Sequence, residues 1–245
     1  YIDGVTITKE EFKQKMIASS ELPKTAQPSI GRFVEVYDEL GKNGDSVISI
    51  QMMRSISGTV DAARQAADIT ETNVTVVDSD FTSRSMGMIV KEAAKAAQEG
   101  KTVEEILEIV EDAKKRTTLY LTVVNLDNLI KGGRISQVMG MFSNLLNIKL
   151  FLQVINGKIE IIQKGRGLKS LQKKYDEIFE QMKAAPNGIQ EIGIMHAGLS
   201  DFNEGNIARV RELFPDVPLT IVTTSPIIMS HTGVDAMAIT YLENK

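Results

Sequence analysis

Hydroxyl side chains lie beside glycine or proline in two segments where the sequence predicts that a helix begins. Ser57-Gly58-Thr59 follows a short apolar run, and Thr25 belongs to the proline-containing segment 22–29. A helix N-terminus presents free N–H groups and a partial positive charge, to which hydroxyls add further donors. The Ser57-Gly58-Thr59 segment is a candidate site for a carboxylate or a phosphate. For either segment taken alone, the commoner explanation is an ordinary one: a serine cap at Ser57, or a rigid loop that places Pro28 at the first helical position.

Two histidines and two arginines supply the other candidate contacts for an anion. His196 and His231 each follow a predicted strand, where an imidazole can donate to an anion and titrates near neutral pH. Arg134 comes directly after Gly132-Gly133, and Arg166 lies between two further glycines. An arginine can bind an oxyanion through two parallel hydrogen bonds. A packed histidine and a solvated arginine are nevertheless the commoner outcomes for any single residue.

Asp78 and Ser79 stand at the end of the predicted strand Val74–Val77. In an open α/β sheet, ligands bind beyond the carboxyl ends of the strands, so both side chains are candidate ligand contacts. A turn or a helix cap is the more ordinary use of such a pair.

The composition excludes several classes of site. The 245 residues include no cysteine, which rules out disulfides, thiolate zinc sites and a cysteine nucleophile, and only two histidines, which leave little material for a metal site. Twenty-eight basic against 32 acidic residues give a net charge of -4, which argues against a nucleic-acid partner. No apolar run reaches the about 18 residues of a membrane helix. We therefore predict a cytoplasmic protein without a metal.

Short β-branched segments alternate with amphipathic ones, which predicts a parallel sheet covered by helices. The predicted strands are 46–50, 74–77, 119–124, 192–195 and 219–222. The predicted helices are 30–40, a helix that begins near Gly58, 86–98, 103–113, a short one at 126–130 and a stretch around 236–242. Gly100 is a predicted helix C-terminal signal, and Thr102 with Glu105 is a predicted capping box.

Residues 149–164 interrupt this alternation. Two β-branched runs are separated by Asn156-Gly157, which is typical of a type I′ hairpin turn because both residues accept a positive φ. An antiparallel hairpin in an α/β chain predicts a second sheet. We therefore predict an N-terminal α/β domain over residues 1–116 and a C-terminal α/β domain with a mixed sheet over 117–245. Tyr1 is not a natural start, so we expect the first domain to lack its opening strand here.

Six segments, taken in order, resemble motifs of the DegV family. They are Lys24-Thr25-Ala26-Gln27-Pro28-Ser29, Ile56-Ser57-Gly58-Thr59, Val77-Asp78-Ser79, Lys131-Gly132-Gly133-Arg134-Ile135-Ser136, Asn147-Ile148-Lys149-Leu150 and His231-Thr232-Gly233. Each motif is weak alone, but six in the same order and spacing along essentially the whole chain are strong. The chain departs from the family pattern at Ala26, where members have serine, and at Val234-Asp235, where they have Pro-Gly.

The resemblance implies two α/β domains, the first with a parallel sheet and the second with a mixed sheet. It implies a protein that is not itself an enzyme and that binds one long-chain fatty acid of the palmitate, stearate or oleate class, with no other cofactor. Its carboxylate would be presented to a separate ATP-dependent subunit of a bacterial fatty acid kinase, which makes acyl phosphate for phospholipid synthesis. Transient membrane contact would serve the loading of the lipid.

By the same resemblance, Thr25, Ser57 and His231 hold the head group, and Gly58 and Thr59 belong to the ligand-binding segment. Further contacts with the head group or the partner are expected among five residues: Arg134, Arg166, Ala26, Asp78 and Ser79. No catalytic residue is expected.

Two other functions fit the same residues. One is a lipid store or sensor without a kinase partner. The other is the substrate-binding subunit of a kinase for a small ketone, which would attach its substrate covalently to a histidine.

Overall fold

The structure is a computed structural model that describes residues 1–134 and 148–245. Ser136 and Asn147, which belong to two of the motifs above, lie outside the described residues. The helices are α1 Lys9–Ala18, α2 Ile30–Gly41, α3 Thr59–Ala67, α4 Ser83–Gln98, α5 Val103–Arg116, α6 Asp127–Lys131, α7 Leu168–Lys183, α8 Asp201–Leu213 and α9 Pro226–Thr232. The strands are β1 Val47–Gln51, β2 Val74–Asp78, β3 Thr117–Val123, β4 Ile148–Ile155, β5 Lys158–Arg166, β6 Ile189–His196, β7 Leu219–Thr223 and β8 Met237–Glu243.

The chain divides into two compact units. Unit 1 comprises Tyr1–Thr25, Thr118–Gln153 and Ile159–Lys245, and unit 2 comprises Ala26–Thr117 and Val154–Lys158. The division near residue 117 lies where the sequence analysis put its boundary, but Tyr1–Thr25 groups with the C-terminal part of the chain. The division of the chain into domains 1–116 and 117–245 stays a prediction.

Unit 2 is built on two parallel strands, β1 and β2, paired from Val47 opposite Val74 to Gln51 opposite Asp78. Helix α2 packs against α3, and α4 packs against α5. Small side chains allow this close approach, because Ala62, Ala63 and Ala66 of α3 are buried. The Tyr37 hydroxyl lies 2.7 Å from Ser49 Oγ, so the polar groups buried between α2 and β1 satisfy each other.

Strand β1 pairs with β2 alone among the described strands, and an apolar groove follows it. The groove has a volume of about 830 Å³ and is lined along β1 and by α2, α4 and the start of α5. Its apolar side chains include Phe33, Val36, Leu40, Val90, Ala97 and Ile106. That this domain lacks its opening strand stays a prediction.

Unit 1 contains a six-stranded mixed sheet in the order β5-β4-β3-β8-β6-β7. Strands β6 and β7 are parallel, whereas β8 is antiparallel to β6. The core packs aromatic side chains of α7 on the sheet, where the Tyr175 ring lies edge-on to Phe151 with ring centroids 4.9 Å apart. The predicted fold class, an α/β protein with a parallel sheet and a second mixed sheet, is confirmed.

Local signals in the sequence are confirmed where they depend on neighbouring residues alone. Thr102 and Glu105 form the predicted capping box of α5, and Gly100 follows α4 with φ of 78°. Asn156 and Gly157, with φ of 49° and 68°, form the turn between β4 and β5. Both positive φ values match a type I′ turn.

Two local predictions are wrong. The predicted helical stretch 236–242 is strand β8, which lies between β3 and β6. A central strand buried on both faces is a continuous apolar run, so hydrophobic periodicity does not separate it from a buried helix. Pro28 is not the first helical residue, because Ser29 caps α2 by accepting a hydrogen bond from the Arg32 N–H, and the helix begins at Ile30.

Candidate functional site

His231 lies in the last turn of the short helix α9, which follows β7. The helix begins at Ser225, whose hydroxyl accepts from the Ile228 N–H, and it has Pro226 in its first turn. It ends at Gly233, whose φ is 81°. The half-buried ring places Nε2 3.0 Å from the Thr25 hydroxyl oxygen. Two predicted head-group residues, far apart in sequence, are therefore in hydrogen-bond contact in unit 1.

The second ring nitrogen of His231 faces the backbone of α6. Nδ1 is buried and has no hydrogen-bond partner among the described residues. A Cβ atom built on Gly132 would lie 2.6 Å from Nδ1 and 2.8 Å from the Asn128 carbonyl oxygen. Only glycine therefore lets the ring approach α6 this closely.

Asn128 links α6 to α9. Its side-chain amide donates to the Ser230 carbonyl oxygen at 3.1 Å, one residue before His231. Its carbonyl accepts from the Gly132 N–H at 2.8 Å, which ends α6. Asn128 thus holds the helix that carries His231, and no motif in the sequence had indicated it.

The tautomer of His231 follows from its surroundings. With hydrogen on Nε2, the ring N–H donates to Thr25 Oγ1, and only the acceptor Nδ1 is left without a partner. The other tautomer would bury an N–H donor without an acceptor, which costs more free energy. The Nε2–H tautomer is therefore favoured, and it leaves the Thr25 hydroxyl hydrogen available to a further acceptor.

Electrostatics favour the neutral form of His231. Burial lowers the pKa of His231 below its ordinary value of 6.5, and the nearby guanidinium of Arg134 lowers it further. At neutral pH, the ring therefore acts as a hydrogen-bond donor and not as a fixed cation.

The two glycines of the Lys131–Arg134 segment have different structural roles. Gly132 is required by the close approach of His231, whereas Gly133 is required by its φ of 70° after the helix end. Arg134 is exposed, and its guanidinium donates to the Gly132 carbonyl oxygen at 2.7 Å. The arginine therefore remains open to solvent beside the histidine that it influences.

The segment Ser57-Gly58-Thr59 begins α3 in unit 2, as predicted. Gly58 is the N-cap residue, and the hydroxyls of Ser57 and Thr59 lie 2.7 Å apart. Ser57 Oγ also accepts from the Thr59 N–H at 3.3 Å. A Cβ on Gly58 would lie 2.5 Å from Oε1 of Gln27, so the end of the Gln27 side chain lies against the helix start. Gln27 belongs to the same loop motif as Thr25 but had not been singled out.

Asp78 and Ser79 form a turn after β2. The Asp78 carboxylate accepts from the N–H groups of Arg54 and Asp80 at 3.1 and 2.9 Å. Ser79 is fully buried, and its hydroxyl donates to the Phe81 carbonyl and accepts from the Phe81 N–H. These contacts match the turn alternative of the sequence analysis.

Ala26 and Arg166 are exposed in their respective units. Ala26 follows Thr25 in the chain, and Arg166 is the last residue of β5. Within the described residues, no three histidine, cysteine or acidic side chains are grouped as metal ligands. None of the described helices combines the length and the apolar character needed to span a membrane.

Solved structures define the class of protein to which this fold belongs. The chain superposes on a DegV fatty acid binding protein from Bacillus subtilis with a TM-score of 0.88 and 27% identity, over 100% of this chain and 87% of that one. A fatty-acid-binding DegV family protein from Thermus thermophilus matches with a TM-score of 0.85 and 30% identity, over the same shares. The fatty acid kinase (Fak) B3 protein of Streptococcus pneumoniae, solved with linoleic acid, matches with a TM-score of 0.82 and 25% identity, over 100% and 86%.

Sequence comparison gives the family itself. A family model described as "Uncharacterised protein, DegV family" matches residues 1–244. A DegV domain-containing protein of Streptococcus pneumoniae serotype 4 is 41% identical over 239 residues, which cover 98% of this chain and 85% of the relative. The chain belongs to the DegV family, and the predicted resemblance is confirmed.

Substitution of Gly132 should displace His231. In Gly132→Ala, the added methyl group meets the ring and the Asn128 carbonyl, so we expect a moved imidazole NMR signal of His231 and a loss of about 1–3 kcal/mol in the free energy of unfolding. Gly133→Ala is the matched control, because its Cβ meets no atom within 4 Å and introduces only backbone strain. Equal displacement of the His231 signal in both variants would contradict this account.

Removal of the Arg134 charge should raise the pKa of His231. We expect Arg134→Gln to move that pKa toward 6.5 in an NMR titration, while burial still holds it below that value. Because the folded-state pKa is the lower one, the unfolded chain binds more protons, and this histidine weakens the fold as pH falls through about 6.5. Lys131→Gln is the control, because it removes another positive charge from the same segment. An unchanged His231 pKa in Arg134→Gln would refute the electrostatic coupling.

Proposed function

We propose that this protein binds one long-chain fatty acid and that the Thr25–His231 pair receives its carboxylate. The observation that carries the proposal is the 3.0 Å contact between Thr25 Oγ1 and His231 Nε2, in a chain whose structural neighbours are described as fatty-acid-binding proteins. Fatty acid binding is a property of those neighbours. The contact between Thr25 and His231 is our reason for extending it to this chain.

The hydrogen-bond directions suit an anionic ligand. His231 donates to Thr25, so the hydroxyl hydrogen of Thr25 is free to donate to a carboxylate oxygen. A hydrogen bond to a charged acceptor is stronger than one to a neutral acceptor, and donation from the imidazole strengthens it further. The neutral state of His231 at pH 7 fits this donor role.

Ser57 and Thr59 are a second group proposed to bind a carboxylate. The two hydroxyls share one hydrogen bond, so one of their two hydrogens is left for an outside acceptor. They lie at the N-terminus of α3, where the helix dipole adds a partial positive charge.

The acyl chain would supply most of the affinity. About 14 methylenes at roughly 0.8 kcal/mol each give on the order of 11 kcal/mol before the ligand's ordering costs are subtracted. One hydrogen bond contributes about 1 kcal/mol. In the proposed complex, the polar groups therefore orient the lipid, and burial of its acyl chain provides most of the affinity.

We propose further that the carboxylate is presented to a separate ATP-dependent kinase subunit, which forms the acyl phosphate. The similarity to the fatty acid kinase B3 protein of Streptococcus pneumoniae supports this role. The exposed Arg134 beside His231 is suited to meet such a partner or the charge on the ligand. Arg166, also exposed, is a further proposed contact with the partner.

The small-ketone alternative fits His231 poorly. A covalent bond to a ketone needs a ring nitrogen with an accessible lone pair. In the favoured tautomer that lone pair is on Nδ1, which is buried against Gly132, while Nε2 is engaged with Thr25. A lipid store or sensor differs from the kinase subunit only in its partner, so the kinase assay below separates them.

Loss of a single hydroxyl should weaken fatty acid binding without abolishing it. We expect Thr25→Val and, separately, Ser57→Ala to raise the dissociation constant for oleate about fivefold, the effect of about 1 kcal/mol. Thr25→Ser keeps the hydroxyl and should bind as the wild type does. Measurement is by competition with a fluorescent fatty acid. Wild-type affinity in Thr25→Val would exclude Thr25 from the carboxylate site.

His231 should matter more for transfer than for retention of the lipid. With a purified kinase subunit and ATP, His231→Ala should form acyl phosphate more slowly than the wild type while still carrying fatty acid, because the tail provides most of the affinity. His231→Gln can still donate an amide N–H toward Thr25 and should keep more activity. Complete loss of bound lipid in His231→Ala would contradict this division of roles, and a wild-type protein that the kinase never phosphorylates would favour the lipid store.

A further inference from the structure

A second polar cluster in unit 1 lies at the carboxyl ends of β6 and β7. These strands are parallel neighbours, with His196 opposite Thr223, and β6 ends at His196. The next residue after β7, Thr224, donates its N–H to the His196 carbonyl oxygen at 2.8 Å. This end of parallel strands is where open α/β sheets bind their ligands.

Two buried polar atoms at this edge have no hydrogen-bond partner among the described residues. His196 is 8% exposed and Thr224 is 6% exposed. Nδ1 of His196 and Oγ1 of Thr224 are both buried, and neither makes a hydrogen bond within the described part of the chain. Buried polar groups of a folded protein are nearly always satisfied, so two exceptions at one edge of the sheet point to an outside ligand.

Two lysines of α1 extend over the same edge. Lys9 and Lys13 are one helical turn apart and therefore project from one side of α1. The Lys9 ammonium donates to the Thr223 carbonyl oxygen at 2.6 Å, and the Lys13 ammonium would lie 3.4 Å from a Cβ on Gly198. Burial, with Lys13 and then Lys9 as further causes, lowers the pKa of His196, which agrees with this proximity.

The two lysines carry positive charge that no described carboxylate neutralises. Among the residues that the structure describes, neither Lys9 nor Lys13 forms an ion pair with a carboxylate. Asp201 and Glu204 lie in the first turn of α8, close behind His196 in the chain, but they too pair with neither lysine. Two ammonium groups, an imidazole and a hydroxyl are thus available to one ligand.

We propose that Lys9, Lys13, His196 and Thr224, the β6–β7 edge cluster, bind the phosphate group of a small molecule. A phosphate dianion offers several acceptor oxygens and enough charge for two ammonium groups, whereas a carboxylate offers two oxygens and one charge. The proposal is independent of the fatty acid site, since it shares neither Thr25 nor His231.

The test uses the fact that the chain contains only two histidines. Its imidazole NMR spectrum has one signal set for His196 and one for His231, which the His231→Gln variant assigns. Inorganic phosphate is added at constant ionic strength. We expect a saturable shift of the His196 signals and no shift of the His231 signals.

Two lysine variants of α1 test whether phosphate binding depends on Lys13. Lys13→Gln removes one cation of the cluster and should weaken phosphate binding about tenfold, the scale of a charged hydrogen bond. Lys15→Gln, on the same helix but directed over the Tyr1 ring, should bind as the wild type does. Both positions lie on a helix exposed to solvent, so both variants should fold.

Four outcomes would overturn the proposal. One is a His196 signal that phosphate leaves unmoved, and another is equal affinity in Lys13→Gln and the wild type. A third is acetate binding as tightly as phosphate, which would make the cluster a general anion site. The last is Lys13-dependent binding to phosphatidylglycerol vesicles without any response to inorganic phosphate, which would assign the cluster to lipid head groups.

Discussion

The hydrogen bond between Thr25 and His231 is the constraint that organises the candidate carboxylate site of unit 1. It requires the His231 ring to lie against α6, which only a glycine at position 132 permits. It also requires α9 to be held in place, which Asn128 does through the Ser230 carbonyl. The tautomer of His231 and the free hydroxyl hydrogen of Thr25 follow from this one arrangement.

The sequence predicted those parts of the fold that depend on neighbouring residues. The capping box at Thr102 and the Asn156-Gly157 turn are set by local hydrogen bonds and backbone angles, and both are present. Strand β8 was wrongly predicted to be helical, because a strand buried on both faces has no distinguishing hydrophobic period.

The sequence predicted which residues belong to the candidate site, but not the contacts that position them. The order of motifs placed Thr25 and His231 together by family resemblance. That Gly132 makes room for an imidazole, or that Asn128 positions α9, depends on contacts between segments distant in sequence, which no local pattern encodes. Asp78 and Ser79, by contrast, form a local turn, which is the ordinary expectation for an Asp-Ser pair in the sequence.

The central claim, that this chain carries a fatty acid, is tested most directly by native mass spectrometry of the purified protein, followed by denaturing extraction and identification of the lipid. The account predicts one bound fatty acid of about 14 to 20 carbons per chain, where the hydrophobic contribution of the tail suffices to keep it through purification. A protein that is empty as purified and takes up neither oleate nor palmitate would contradict the account.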